Sequence, residues 1–288
     1  MPSTPDLTVL TLQVCFFGAL GIFALAALVR SLAAKRRVGE PPPIPVGRVA
    51  IWPYLALDLL WMGFIFLTYF SLSIGNARLA ATKTEMPITQ QGLLISIGFQ
   101  GVLAGMTVAV MLWRVRPLAW LGLRWPGWRW VFLIAPAGVA AMWLLGFVLY
   151  TTGYMTWLKS LGIEEVQDSV KLLQTTQDPL TLSLMAIAAV LAAPLCEEIV
   201  FRGYLYPAAK KFAGRWVAGA CSALVFAAAH NSLAPLLPLF YFGCLLVIAY
   251  ELTGSLWAPI AMHFCFNTAT VVITAAARVY DFPLTPGP

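Results

Sequence analysis

Six side chains that can move protons or hydrogen-bond a reaction intermediate are concentrated in the last hundred or so residues of the chain. They are Glu197, Glu198, Arg202, His230, His263 and Asn267. The chain contains only two histidines, and both follow the Glu-Glu-x-x-x-Arg string within this region. Two carboxylates, a guanidinium and two imidazoles in apolar segments indicate a functional site, because ionisable groups are costly in hydrocarbon. The less specific interpretation is a buried hydrogen-bond network that holds three helices together.

The spacing of these residues predicts how they share helix faces. Glu198 and Arg202 are four residues apart, so an ion pair between them would lower the cost of burying both charges. Glu197 is turned by about 100° from Glu198 around a helix and can face a different partner. His263 and Asn267 are also four residues apart, so they present two polar side chains from one face.

Two kinds of hydrolytic chemistry use glutamate together with histidine. In the first, Glu197 acts as a general base and, with His230, deprotonates a water that attacks a peptide carbonyl. His263 and Asn267 then donate hydrogen bonds to the developing oxyanion. In the second, glutamate and histidine bind zinc, which lowers the pKa of its bound water. The H-E-x-x-H signature is absent, so we expect no cofactor, and zinc stays an open alternative.

The segments that carry these residues are apolar enough to lie in a bilayer. The chain is 60% hydrophobic and 10% charged, a balance that excludes an ordinary water-soluble domain. About 20 apolar residues allow a helix to cross a hydrocarbon core of about 30 Å. The sequence therefore predicts an all-α, polytopic transmembrane helical bundle of about eight spans. The predicted spans are 7–29, 50–74, 92–113, 130–150, 180–207, 216–230, 235–250 and 256–277.

The basic residues are signals of membrane topology. The formal charge of +6 comes from short clusters at span ends, which argues against a nucleic-acid partner. By the positive-inside rule, the loops after the first, third and fifth spans are cytoplasmic, and both termini lie outside. The clusters are Arg30, Lys35, Arg36 and Arg37, then Arg114, Arg116, Arg124 and Arg129, then Lys210, Lys211 and Arg215.

Asp58 is a further acid inside a predicted span, the second one. Its sequence neighbourhood offers no obvious partner. We interpret it as structural, or as the partner of a distant arginine or backbone donor. The five cysteines lie in apolar segments without a C-x-x-C pair, which argues against a disulfide framework or a thiolate zinc site.

Three strings on successive apolar segments resemble the motifs of the CAAX protease and bacteriocin-processing (CPBP, or Abi) family. They are Glu197-Glu198-x-x-x-Arg202, Phe226-x-x-x-His230 and His263-x-x-x-Asn267. The resemblance covers about 180–277 and implies a helical intramembrane endopeptidase with a cavity open to the cytoplasm. It also implies that Glu197 and His230 activate water, and that His263 and Asn267 form the oxyanion hole. Glu198 and Arg202 would orient and neutralise one another.

The predicted organisation is an N-terminal set of spans (1–179) with a proline-rich connector (40–48), a catalytic core (180–277) and a tail (278–288). The expected partners are the lipid bilayer of the cell membrane and a membrane-associated protein or peptide substrate, with or without a lipid group. Two other functions stay open. One is a non-proteolytic scaffold or immunity-type protein that binds a partner through the polar cluster. The other is a transporter with a proton relay, which the lack of an internal repeat disfavours.

Overall fold

The computed structural model describes residues 4–36, 47–81, 88–163 and 168–280. Within these ranges the chain forms helices and no strand. The helices are α1 Thr4–Arg36, α2 Asp58–Ala81, α3 Gln90–Leu112, α4 Pro117–Trp120, α5 Val131–Thr151, α6 Tyr154–Ser160, α7 Asp168–Thr175, α8 Pro179–Ala213, α9 Arg215–Ala228, α10 Leu236–Thr253 and α11 Trp257–Val279. Most of the predicted connector and of the tail lies outside the described residues.

Seven helices of the described residues are long and apolar enough to cross a membrane. They are α1, α2, α3, α5, α8, α10 and α11. Their outer faces carry large apolar side chains, such as Phe132 at 73% exposure and Leu144 at 63% on α5. These faces suit contact with lipid acyl chains. The predicted fold class, an all-α polytopic bundle, is confirmed.

α9 is the short helix at the centre of the bundle. It packs against α1, α10 and the second half of α8, and side chains along it such as Ala218 and Phe226 are fully buried. α9 and α10 approach each other closely at Gly243. A Cβ added there would lie only 2.8 Å from the Cβ of Ala223. Small residues allow this contact between backbones. A helix of 14 residues is too short to span alone, so the predicted sixth span is an enclosed helix.

α8 continues past both of its internal prolines, Pro194 and Pro207, whereas the sequence predicted an end at about Pro207. Two π-helical stretches, Ile187–Ala192 and Ile199–Leu205, directly precede Ala193-Pro194 and Tyr206-Pro207. A proline cannot donate to the carbonyl one turn earlier, so the helix must change its hydrogen-bond register there. The carbonyl of Gly203 instead accepts a hydrogen bond of 2.6 Å from the hydroxyl of Tyr54.

Asp58 begins α2 and does not lie in the middle of a span. The preceding residues, 50–57, which include Pro53, form turns. The Asp58 carboxylate pairs with the Arg114 guanidinium at 2.5 Å and accepts a hydrogen bond of 2.5 Å from the hydroxyl of Tyr204. The hydrogen bonds to Asp58 raise the pKa of Arg114 above its usual range. The prediction that Asp58 is the partner of a distant arginine is confirmed.

Candidate active site

The turn between α8 and α9 places Glu197 and His230 at a similar depth in the bundle. Gly214 reverses the chain with φ +84°, in the left-handed region that favours glycine. Glu197 lies 17 residues before Gly214 and His230 lies 16 residues after it. At about 1.5 Å per residue these separations are roughly 25 Å and roughly 24 Å. A helix that ended at Pro207 would have left the two side chains at different depths, so the extension to Ala213 brings them level.

Glu198 joins the first and third motifs in one buried network. Its Oε1 accepts a hydrogen bond of 2.9 Å from Nη1 of Arg202 and lies 3.0 Å from Nδ1 of His263. Glu198 and Arg202 are fully buried, and His263 is 4% exposed. Arg202 also contacts the carbonyl of Gly243 on α10 at 3.4 Å. The predicted pairing of Glu198 with Arg202 is present, and the same carboxylate orients His263 as well.

The ring of Phe226 connects the second motif to this network. The guanidinium carbon of Arg202 lies 4.3 Å from its centroid, a cation–π contact. The imidazoles of His230 and His263 pack edge-on against the same ring, with centroids 4.9 Å and 6.0 Å away. Sequence reasoning named Phe226 only as part of a motif. The signal for its role was its position four residues before His230, which lies in the turn directly after α9.

His230 and Glu197 each keep a polar atom that accepts no hydrogen bond from the described residues. Nδ1 of His230 lies 2.8 Å from the carbonyl of Phe226, so this nitrogen carries the donated proton and Nε2 keeps its lone pair. Within the described part of the chain, Oε2 of Glu197 is shielded from solvent and has no hydrogen-bond partner. Glu197 lies near enough to His263, Glu198 and Arg202 for their charges to interact.

Asn267 makes a contact that the sequence did not predict. Its Nδ2 donates a hydrogen bond of 2.7 Å to the carbonyl of Ala189, in the first π-helical stretch of α8. The side chain therefore ties α11 to α8. Among the described residues no hydrogen bond directly joins any two of Glu197, His230, His263 and Asn267.

Tyr69 on α2 is a neighbour of the site that sequence reasoning missed. Its ring packs against Phe201 with centroids 5.0 Å apart, and its hydroxyl lies near enough to Glu197 for their charges to interact. A tyrosine in the middle of an apolar helix was the signal that could have found it. The N-terminal helices therefore contribute to the surroundings of Glu197.

The structure also describes two grooves on the surface of α2 and α3. One, of about 360 Å³, is lined by Asp58, Arg114 and neighbouring apolar side chains, and the other, of about 380 Å³, is lined by residues such as Phe64 and Phe99. Neither touches the six candidate residues. Over the described ranges, no group of three His, Cys, Asp or Glu side chains is arranged to hold a metal ion.

The fold and the site together define a class of protein: a helical membrane bundle with a buried Glu–Arg–His network. Residues 179–269 match the family model described as "Type II CAAX prenyl endopeptidase Rce1-like". This match extends from the start of α8 past Asn267 and so includes all six candidate residues. The predicted resemblance is confirmed for this segment of the chain.

A curated relative matches a segment of similar length. The Bacillus subtilis (strain 168) protein named "Putative membrane peptidase YdiL" is 31% identical over 90 residues. These residues are 31% of this chain and 37% of that relative, so the chain covers well under two thirds of the length of the relative. No solved structure matches the chain.

Proposed function

We propose that this chain is an intramembrane endopeptidase that hydrolyses a peptide bond of a membrane-associated protein or peptide. The observation that carries the proposal is the buried network in which Glu198 joins Arg202 to His263, with the Phe226 ring linking His230 to both. Segments that are far apart in sequence thus contribute to one network, which includes the residue directly after Glu197. The similarity of 179–269 to an endopeptidase family supports the same conclusion.

Glu197 and His230 have the chemistry to activate a water. The unpaired Oε2 of Glu197 can accept a proton from it, and Nε2 of His230 can accept a second hydrogen bond and orient it. The activated water attacks the carbonyl carbon of the peptide bond, a C–O bond forms, and the carbonyl oxygen becomes negatively charged. Collapse of this intermediate breaks the C–N bond, and Glu197 returns the proton to the leaving amine.

His263 is the donor that the network prepares for the oxyanion. Because Nδ1 faces Glu198, a protonated His263 can donate from Nε2 to a substrate oxygen. When ionised, Glu197 and Glu198 carry two negative charges, and Arg202 with protonated His263 carries two positive charges. With these charges the four groups together are neutral.

The substrate class and location follow from the surroundings of the site. The polar groups lie inside apolar helices, so a substrate must already be in or on the bilayer to reach them. The family description names a prenyl endopeptidase, which supports a substrate that carries a lipid group near its C-terminus. We assign the protein to the cell membrane, with the basic clusters on the cytoplasmic side.

The experiment that tests this function is the substitution Glu197→Gln. The amide keeps the shape of the side chain but cannot take a proton, so cleavage of membrane proteins should fall by about 10² to 10⁴-fold. The products can be identified by comparing membranes that contain the active protein with membranes that contain the Glu197→Gln protein. Peptides with new C-termini that occur only with the active protein are the products of cleavage. Asp178→Asn is the matched control, because it makes the same carboxylate-to-amide change at an exposed position at the start of α8.

Unchanged cleavage by the Glu197→Gln protein would contradict the proposed role of Glu197. The zinc alternative makes a separate prediction. It requires metal at a stoichiometry of one in the purified protein, with cleavage lost on chelation and restored by zinc. Metal analysis of the same preparations would therefore separate the two mechanisms.

A further inference from the structure

The carbonyl of Ala189 has lost its main-chain donor. In a regular α-helix it would accept from the N–H of Ala193, but in the π-helical stretch that N–H goes to the carbonyl of Ala188. In the π register the next donor would come from residue 194, which is a proline and has no N–H. The side chain of Asn267 supplies the missing hydrogen bond at 2.7 Å.

We infer that Pro194 and Asn267 form a latch between α8 and α11, in which Pro194 exposes the Ala189 carbonyl and the Asn267 amide binds it. Asn267 is thus a positioning residue, which acts through the helix that carries the two glutamates. The carboxamide must point this way, because its oxygen cannot donate to a carbonyl. This assignment differs from the oxyanion role that family resemblance implies for Asn267.

The latch and the buried network both connect α8 to α11. Asn267 lies one turn after His263 on α11, and Ala189 lies about two turns before Glu197 on α8. The hydrogen bonds Asn267–Ala189, 2.7 Å, and His263–Glu198, 3.0 Å, therefore fix both the rotation and the axial position of α11 against α8. The consequence for catalysis rests on the proposed function, but the latch itself does not.

A double-mutant cycle on thermal stability tests the latch without any assay of cleavage. In the native background, Asn267→Ala should lower the Tm of the detergent-purified protein by several degrees, because it leaves the half-buried carbonyl of Ala189 unpaired. Pro194→Ala restores an N–H that can bond this carbonyl. In that background the Tm loss from Asn267→Ala should be less than half as large. Equal Tm losses in the two backgrounds would overturn the latch.

Two further variants serve as controls for this double-mutant cycle. Pro136→Ala removes a proline from the exposed face of α5, so Asn267→Ala should cost the same Tm with or without it. If Pro194→Ala does not fold, Asn267→Leu decides the question alone. Leucine has a similar shape and no N–H to donate to Ala189, so the latch predicts a Tm below that of the unmodified protein. A Tm equal to that of the unmodified protein would rule the latch out.

The positioning role has its own spectroscopic readout. Because the chain has two histidines, protein labelled with ¹⁵N-histidine gives ring signals from His230 and His263 alone, and Glu198→Gln assigns the latter. Asn267→Ala should shift or broaden the Nδ1 signal of His263 and leave His230 in place. An unchanged His263 signal would contradict positioning through α11. Loss of cleavage by Glu197→Gln, tested separately, decides the enzymatic function and does not affect this result.

Discussion

Glu198 is the residue on which the cohesion of the site depends most directly, since one oxygen of its carboxylate contacts both Arg202 and His263. Glu198→Gln would leave the guanidinium of Arg202, which is fully buried, without its hydrogen-bonded carboxylate partner. Breaking a buried pair in this way costs about 3–5 kcal/mol. We expect the Glu198→Gln protein to unfold at a clearly lower temperature than the native protein in the same detergent.

The comparison for this prediction is Glu197→Gln. Glu197 has no ion-pair partner within hydrogen-bond distance among the described residues, so its amide should leave the Tm within a few degrees of the native value while it removes cleavage. Equal thermal stability of the two variants would mean that the Glu198–Arg202 pair contributes nothing to folding.

Residue spacing predicted part of this site. The four-residue interval placed Glu198 and Arg202 on one face of the helix, and the structure has them paired. The partner of Asn267 could not be predicted in the same way. Its acceptor is a main-chain carbonyl freed by a local change to π-helix, and side-chain periodicity carries no record of that change.

At the scale of the element, α8 shows why helix ends are hard to place in an apolar sequence. Pro207 would end a helix in water, but here the hydroxyl of Tyr54 satisfies the Gly203 carbonyl one turn before it. Tyr54 in turn accepts a hydrogen bond of 2.7 Å from Nε1 of Trp120. A neighbouring segment thus pairs the group that proline frees. The sequence shows the proline but not this neighbour, which comes from about 150 residues earlier.

Tyr54→Phe tests this account of α8. The substitution leaves the Gly203 carbonyl and the Trp120 N–H buried without their partner, and each such group costs about 1–3 kcal/mol. We expect a lower free energy of unfolding in a denaturant titration in detergent. Tyr150→Phe is the control, because Tyr150 is 57% exposed on α5 and should change stability little. A loss of the same size in both variants would show that the Tyr54 hydroxyl does not support the helix.

At the scale of the whole molecule, hydropathy predicted the number of apolar segments well and their roles less well. The sequence of α9 is apolar like those of the lipid-facing helices, yet α9 is enclosed by α1, α8 and α10. Its alanines and Gly219 are the signal, since small residues favour contact between helices. Bilayer contact and helix contact both select apolar residues, so hydropathy alone cannot separate them.

The orientation of the bundle gives the last prediction. The structure places the segments after α1 and α3 and the end of α8 at one end of the bundle. Tyr54 contacts both Trp120 and Lys211, and the N–H of Leu256 bonds the carbonyl of Leu121 at 2.9 Å. Three basic clusters therefore share one end, as the positive-inside rule requires of cytoplasmic loops.

A labelling experiment decides which side of the membrane this end faces. Cysteine introduced at Pro126, an exposed position of that end, should react with a membrane-impermeant maleimide only after cells are permeabilised. Cysteine at Ser160, exposed after α6 at the other end, should react in intact cells. The parent protein controls for its five native cysteines, which are buried or half-buried. The reverse pattern would place the Gly214 turn and the basic residues around it outside the cell, and the predicted topology would have to be abandoned.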